Sequence, residues 1–378
     1  MLETNIGGIV RGVTLNTPLL LASGQITETP DFYLRTAPYA CAGMVTRSLK
    51  ENPPPERANT PAPRYVVFDG GRSMLNCEWG NTQPWTTWYD EGIDKVKARG
   101  GALILSLSGR DIEDCGHLLR KFSDTNIDAF EINVSCSHSG AVHGNMNTDV
   151  THLRELMQKV GSFTDKPLWI KLSYSNVLLE MAKVAEDFGA DAIVCSNSIG
   201  PGLFIDTRTG LPKLGIKGGA GGVTGEAIFP IALNCVYQLA QTVRIPIIGS
   251  GGISTADHVI QMMMAGASAV QLYTAPHLQG PEIFKKIAKG LVDYLNAYDY
   301  DSIEDLIGLS IGKAKENSFY TVQPTFDAAK CTNCGKCSRV CVFDSITDHG
   351  PSYDKCVGCN ACVGVCPTGA LTTKFERR

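Results

Sequence analysis

The sequence predicts an α/β chain: a (β/α)8 TIM barrel followed by a small two-cluster domain of the bacterial ferredoxin type. Three observations carry that prediction. Eight short apolar runs alternate with helical stretches before residue 310, the pattern of a parallel sheet with crossover helices. Eight of the 14 cysteines crowd between Cys331 and Cys366 as two copies of C-x2-C-x2-C-x3-C. A single barrel uses about 250 residues, so a chain of 378 residues holds one with room for a small module.

The apolar runs are Leu19 to Ser23, Gly43 to Arg47, Leu103 to Leu107, Ala129 to Ser135, Leu168 to Leu172, Ala192 to Ser196, Pro246 to Gly249 and Ala269 to Tyr273. Eight strands with helical stretches between them favour a closed barrel over an open sheet. Stretches such as 149–163 and 226–243 have helical apolar spacing and fit the outer ring. The expected bounds are 1–309 for the barrel, 310–328 for a linker and 329–378 for the cluster domain. The segment from Asn52 to Pro63 carries five prolines and can be neither regular helix nor central strand. It starts an excursion over about residues 50–86, whose aromatic stretches Tyr65 to Phe68 and Trp79 to Trp88 suit a lid, a dimer surface or simple packing.

Within the cysteine runs, three thiolates on one tight loop reach three irons of a cubane and the fourth comes from elsewhere; in two-cluster ferredoxins the fourth cysteine of each run serves the other cluster. One [4Fe-4S] cluster is therefore expected on Cys331, Cys334, Cys337 and Cys366, and the other on Cys356, Cys359, Cys362 and Cys341. Zinc ribbons also use C-x2-C pairs but have no use for a third cysteine two residues on. Val342 stands where the first run would have its proline, as Pro367 follows the second, while all eight ligands are intact. Thiolates at this spacing imply a reducing compartment.

The balance of 34 Lys+Arg against 38 Asp+Glu gives a net charge of -4 and no electrostatic reason to expect nucleic acid or an acidic membrane surface as partner. No run approaches the roughly 20 apolar residues that span a bilayer, and the N-terminus has no signal-peptide pattern, so a cytoplasmic location is the expectation. Small-molecule redox chemistry remains.

Barrel chemistry sits at the C-terminal ends of the strands. There the runs place Asn133, Ser135 and Cys136 (fourth), Lys171 (fifth), Asn197 and Ser198 (sixth), Ser250, Gly251 and Gly252 (seventh), and Tyr273 and Thr274 (eighth). Glycines after the seventh strand let the backbone approach a phosphate, so a phosphorylated cofactor is expected there. Flavin mononucleotide (FMN) suits better than a nicotinamide, because a barrel fed by clusters needs a carrier that exchanges single electrons for pairs. The chain also lacks G-x-G-x-x-G at a strand-to-helix turn. A lysine inside the apolar run 168–172 must point into the barrel or find a partner, whereas Cys41, Cys115, Cys195 and Cys235 read as small buried apolar residues.

Across residues 1 to about 309 the chain resembles the dihydroorotate and dihydropyrimidine dehydrogenase superfamily. The resemblance rests on Ala22-Ser23-Gly24, Thr46-Arg47-Ser48, Pro63-Arg64-Tyr65, Asn133-Val134-Ser135-Cys136, Asn197-Ser198-Ile199-Gly200, Gly221-Gly222-Val223-Thr224-Gly225 and Gly249-Ser250-Gly251-Gly252-Ile253. A barrel followed by two clusters is most similar to the FMN and iron–sulfur subunit of bacterial NAD-dependent dihydropyrimidine dehydrogenases, and Leu75-Asn76-Cys77-Glu78 is similar to that branch's substrate-facing loop. The resemblance implies FMN held by Ala22, Ser23, Arg47, Ser48, Asn133, Lys171, Gly225, Ser250, Gly251, Gly252, Tyr273 and Thr274. It implies a pyrimidine edge read by Asn76, Asn133, Asn197 and Ser198, and Cys136 as the general acid. It also implies an FAD- and NAD(P)-binding donor subunit, or a ferredoxin, in a homodimer or heterotetramer. Three amides and a hydroxyl suit an uncharged cyclic imide, since together they donate and accept.

Two residues depart from the family. Arg47 replaces a lysine beside the flavin, which is not a conservative exchange, and Ser137 replaces a proline, which frees the backbone after Cys136. The loop from Ser139 to Asn147, with His143, matches neither branch, and His138 stands where dihydroorotate enzymes carry Asn. The expected activity is reduction of the carbon–carbon double bond of uracil or thymine. The alternatives are the same chemistry on another conjugated carbonyl or heterocycle, dihydroorotate oxidation, or a non-catalytic electron-transfer subunit.

Overall fold

The computed structural model describes residues 6–51, 62–78, 81–135, 146–313, 323–347 and 350–373. The chain divides into two compact units, 1–311 and 312–378.

The first unit is a closed parallel barrel. Its strands are β1 (Leu19–Leu21), β2 (Gly43–Val45), β3 (Ala102–Ser108), β4 (Ala129–Asn133), β5 (Leu168–Leu172), β6 (Ala192–Cys195), β7 (Ile247–Ser250) and β8 (Ala267–Leu272). Each pairs with its sequence neighbours, and β8 closes on β1 through Val270 opposite Leu19. All eight apolar runs are strands. Several end one or two residues sooner than the runs do: Ser23, Arg47, Ser135, Ser196 and Tyr273 fall just past the last strand residue.

Alternation along the strands sorts the side chains. Leu19, Leu103, Phe130, Ile170, Ile193 and Val270 join the layer between barrel and helices, while Leu20, Ile104, Trp169, Val194 and Ile248 fill the barrel. Burial of each such leucine or isoleucine contributes about 2 kcal/mol. The N-terminal hairpin, Gly8–Val10 against Val13–Leu15, packs Val10, Val13 and Leu15 into that inner cluster.

Three of the outer helices start where a side chain caps them. Asp111 accepts from the N–H groups of Glu113 and Asp114 to begin α1 (Ile112–Phe122), and Asp149 accepts from His152 to begin α2 (Val150–Val160). The helix expected over 149–163 therefore uses Asp149 as its cap and stops at Val160. The stretch 226–243 opens as a 3-10 turn, Glu226–Ile228, and continues as α3 (Phe229–Leu239). Thr255 caps α4 (Ala256–Met264), while α5 (Ile283–Ala297) and the helix Leu178–Asp187 between β5 and β6 begin without a side-chain cap.

The excursion after β2 forms a four-stranded antiparallel sheet with the loop after β6: Tyr65–Phe68 pairs Ser73–Asn76, which pairs Gly221–Gly225, which pairs Ile199–Gly202. Trp88 is fully buried in the main core, so that part of the excursion is packing.

In the second unit, Thr325–Phe326 pairs Leu371–Thr372 and Ile346–Thr347 pairs Gly350–Pro351, with short helices Lys336–Val340 and Ala361–Gly364 carrying cysteines. This is a ferredoxin-like arrangement in which the first and last strands join, so pairing begins before the first cysteine. No described helix is long and apolar enough to cross a membrane.

Candidate active site

The barrel's cavity opens at the C-terminal ends of the strands. Its lining includes Ala22 and Ser23 after β1, Lys171 on β5, Ser196, Asn197 and Ser198 after β6, Thr224 and Gly225 from the added sheet, the turn from Ser250 to Ser254, and Gln271 to Ala275. Gly251 and Gly252 sit at φ +111° and +77°, in the left-handed region that side chains avoid. A Cβ on Gly251 would lie 2.9 Å from Ser196 Oγ, and one on Gly252 2.7 Å from the Phe229 backbone N. A bare backbone turn leading into the capped start of α4 is a cradle for a phosphate.

Inside the barrel, polar side chains stack above the apolar layer. Glu131 is fully buried and Lys171 nearly so. Lys171 Nζ donates to Glu131 Oε1 at 3.4 Å and to Gln271 Oε1 at 3.2 Å, while Gln271 Nε2 donates to Glu131 Oε2 at 2.8 Å. Ser106 Oγ reaches Glu131 at 3.4 Å, Ser48 Oγ meets Ser106 Oγ at 2.9 Å, and Asn133 Nδ2 donates to Ser48 Oγ at 3.2 Å. Asn197 Nδ2 then donates to Asn133 Oδ1 at 3.3 Å and Ser135 Oγ at 3.1 Å. One chain of hydrogen bonds thus runs from the lysine on the cavity floor to the amides at its mouth. Glu131, Gln271 and Ser106 were not among the residues read from sequence. Glu131 carries the signal that singled out Lys171, a charge inside an apolar run.

Ser198 donates its N–H to Asn197 Oδ1 at 2.8 Å, and buried Asn76 donates to the Gly222 carbonyl at 3.0 Å across the added sheet. Arg47, just past β2, pairs with Glu28 at 3.2 Å, their side chains 6% and 14% exposed. Burial alone would raise the Glu28 carboxyl, yet Arg47 and the Thr82 hydrogen bonds hold it below the usual carboxylate range.

Glu78 closes the same side. It accepts from the Tyr65 hydroxyl, from the Tyr273 hydroxyl at 2.6 Å and from the Gln25 N–H at 3.1 Å. Burial first, then the Glu78 charge, pushes both phenols up, so they stay neutral donors. His277 packs edge-on against both tyrosines, and burial pushes its imidazole down. Cys77 is buried in the sheet's small core with Leu75 and Leu214. Buried Cys41, Cys115, Cys195 and Cys235 sit in the main core. Cys136, Ser137, His138 and His143 lie outside the described residues.

In the second unit one cavity is lined by Cys331, Cys334, Cys337 and Cys366, and another by Cys341, Cys356, Cys359 and Cys362. Each therefore takes three thiols from one run and the fourth from the other. A hydrogen bond from the Leu371 N–H leads the effects that lower the Cys366 thiol to about 7, toward the thiolate that binds iron. Both donor sets fit an iron–sulfur cubane, and the barrel cavity's glycine turn, lysine and hydroxyls fit a flavin phosphate and ring.

Residues 1–295 match the family model described as dihydroorotate dehydrogenase, and residues 351–372 match the 4Fe-4S binding domain. Among curated proteins, the dihydroorotate dehydrogenase B (NAD(+)) catalytic subunit of Pyrococcus horikoshii is 33% identical over 301 residues, covering 79% of this chain and 96% of that one. The protein of the same description from Geotalea uraniireducens is 34% identical over 308 residues, covering 80% and 97%. Among solved structures, DHODH from Eimeria tenella in complex with ferulenol superposes with a TM-score of 0.64 at 19% identity, over 82% of this chain and 89% of that one, a likeness of fold.

Proposed function

The chain belongs to the dihydroorotate dehydrogenase family, flavin oxidoreductases acting on CH–CH bonds, and from that premise we propose that it reduces the carbon–carbon double bond of an uncharged pyrimidine base, uracil or thymine. The observation that carries this reading is the array of Asn133, Ser135, Asn197 and Ser198 at the cavity mouth, linked by hydrogen bonds and bearing no charge. Such groups match the alternating carbonyls and N–H groups of a cyclic imide.

FMN, when bound, would supply hydride chemistry at a ring carbon and the exchange of electron pairs for single electrons. Lys171, the Ser250 to Gly252 turn, Ala22, Ser23, Arg47, Ser48, Asn133, Gly225, Tyr273 and Thr274 would hold it. Asn76, Asn197 and Ser198 orient the pyrimidine. Cys136 follows Ser135, which Asn133 and Asn197 restrain, and its thiol gives a proton to the neighbouring ring carbon, so hydride and proton together saturate the bond. Two [4Fe-4S] clusters, one held by Cys331, Cys334, Cys337 and Cys366 and the other by Cys341, Cys356, Cys359 and Cys362, would supply the electron path into the chain. The electrons come from a separate donor, an FAD- and NAD(P)-binding subunit or a ferredoxin, in a cytoplasmic assembly. The domain bounds that go with this reading are 1–309, 310–328 and 329–378.

The names of the relatives favour a second reading, dihydroorotate oxidation. A substrate panel with reduced viologen and the loaded enzyme separates the two: uracil or thymine is consumed under the first. Consumption of neither, with orotate reduced, overturns it in favour of the second.

A further inference from the structure

Among the described residues, the cations at the barrel cavity and at the neighbouring end of β2 are each paired with a carboxylate. Lys171 and Arg72 line the cavity. Lys171 pairs with buried Glu131, and Arg72 pairs with Glu226 at 3.3 Å and Asp69 at 2.7 Å. Arg47 stands at the end of β2 beside Ser48, whose hydroxyl meets Ser106 and accepts from Asn133, and it is paired with Glu28 at 3.2 Å. Glu28 cannot swing away easily: its other oxygen accepts from the Thr82 N–H at 2.9 Å and the Thr82 hydroxyl at 2.6 Å. The Arg47 backbone is tied to the Thr27 carbonyl at 3.0 Å. Glu78, meanwhile, is a carboxylate held by two phenols and an N–H, with no ion-pair partner among the described residues.

A substrate carrying a carboxylate must bring that charge into a partly dry site, which is costly without a cation to receive it. Here the charge of Arg47 is spent on Glu28, and a second carboxylate, Glu78, accepts from Tyr273, which lines the cavity. We infer that Glu28 is a specificity residue: by holding the charge of Arg47 it closes the site to pyrimidine carboxylates while leaving it open to the uncharged ring. This rests on the pyrimidine reading and adds the residue that enforces it. The device is a repulsive one, acting against the wrong substrate rather than for the right one.

Glu28→Gln tests it, because the amide keeps the side-chain shape and an acceptor for Thr82 while removing the charge. Orotate and uracil are titrated into the flavin-loaded enzyme, with binding read from the flavin absorbance, and both are tried as substrates with reduced viologen. The affinity for orotate relative to uracil is expected to rise at least about tenfold, the scale of one exposed-to-buried charge contact. The gain should vanish in Glu28→Gln/Arg47→Gln. An unchanged ratio in Glu28→Gln, or native enzyme that reduces orotate as readily as uracil, overturns the inference. If Glu28→Gln does not hold flavin, Thr82→Val must move the ratio the same way by a smaller factor, and no movement overturns it. Native enzyme that reduces neither compound sinks the pyrimidine reading instead, and the inference then stands only if Glu28→Gln strengthens orotate binding.

Discussion

Replacing Glu131 by Gln should cost the barrel several kcal/mol, although the residue touches no surface. Glu131 is fully buried, Lys171 has 4% of its side chain exposed, and the charged atoms are 3.4 Å apart. At an effective dielectric of about 20 that separation gives an attraction of about 5 kcal/mol. Breaking a buried pair from one side typically costs about 3–5 kcal/mol, because the remaining charge is stranded. With about 4 kcal/mol lost, a unit of this size should melt about 6 °C lower. Far-UV circular dichroism of the barrel transition measures the shift. The double variant Glu131→Leu/Lys171→Met removes both charges and should recover more than half of the loss, since an apolar pair of similar volume is often neutral. A single variant melting within about 1 °C of the native protein, or a double variant worse than the single one, refutes the argument that the pair is a buried, mutually dependent unit.

Other outcomes follow from the proposed chemistry. Cys136→Ala should lower the rate of uracil reduction by about a hundredfold or more, the usual contribution of a positioned acid, while a chain that only relays electrons would keep its full rate. Cys341→Ser combined with Cys356→Ser should lose the iron of one cluster, whereas Cys341→Ser with Cys331→Ser should lose that of two. Iron and acid-labile sulfide analysis checks this, and the reverse pattern would mean that the cavities do not define the clusters. The isolated loaded chain should show flavin and iron–sulfur absorbance with little bleaching by NADH or NADPH, and rapid bleaching would remove the need for a donor subunit.

Legibility from sequence followed the range of the interactions. The eight barrel strands were visible because alternation and apolar runs are local properties, and strand ends were overrun only where polar residues continue the run, as at Ser23 and Arg47. Lys171 was conspicuous as a charge within an apolar run. Glu131 carries the same signal, a charge within an apolar run, two residues before Asn133. Glu28 gave no signal at all, since nothing near it in the chain reveals that Arg47, 19 residues away, will fold against it.

The strand count, the glycine turn for a phosphate, the amide and cysteine motifs and the two cluster runs are all legible in the order of the residues. How charges are shared among those parts is settled by folding. Tyr273 meets Glu78 across 195 residues and Gln271 meets Glu131 across 140. Those partners are chosen when the barrel closes and the added sheet pairs Ser73–Asn76 with Gly221–Gly225. The physical reason is that periodicity and turn chemistry act over a few bonds, whereas the worth of a charge depends on which opposite charge, and how little water, lies within a few ångströms once the chain has folded.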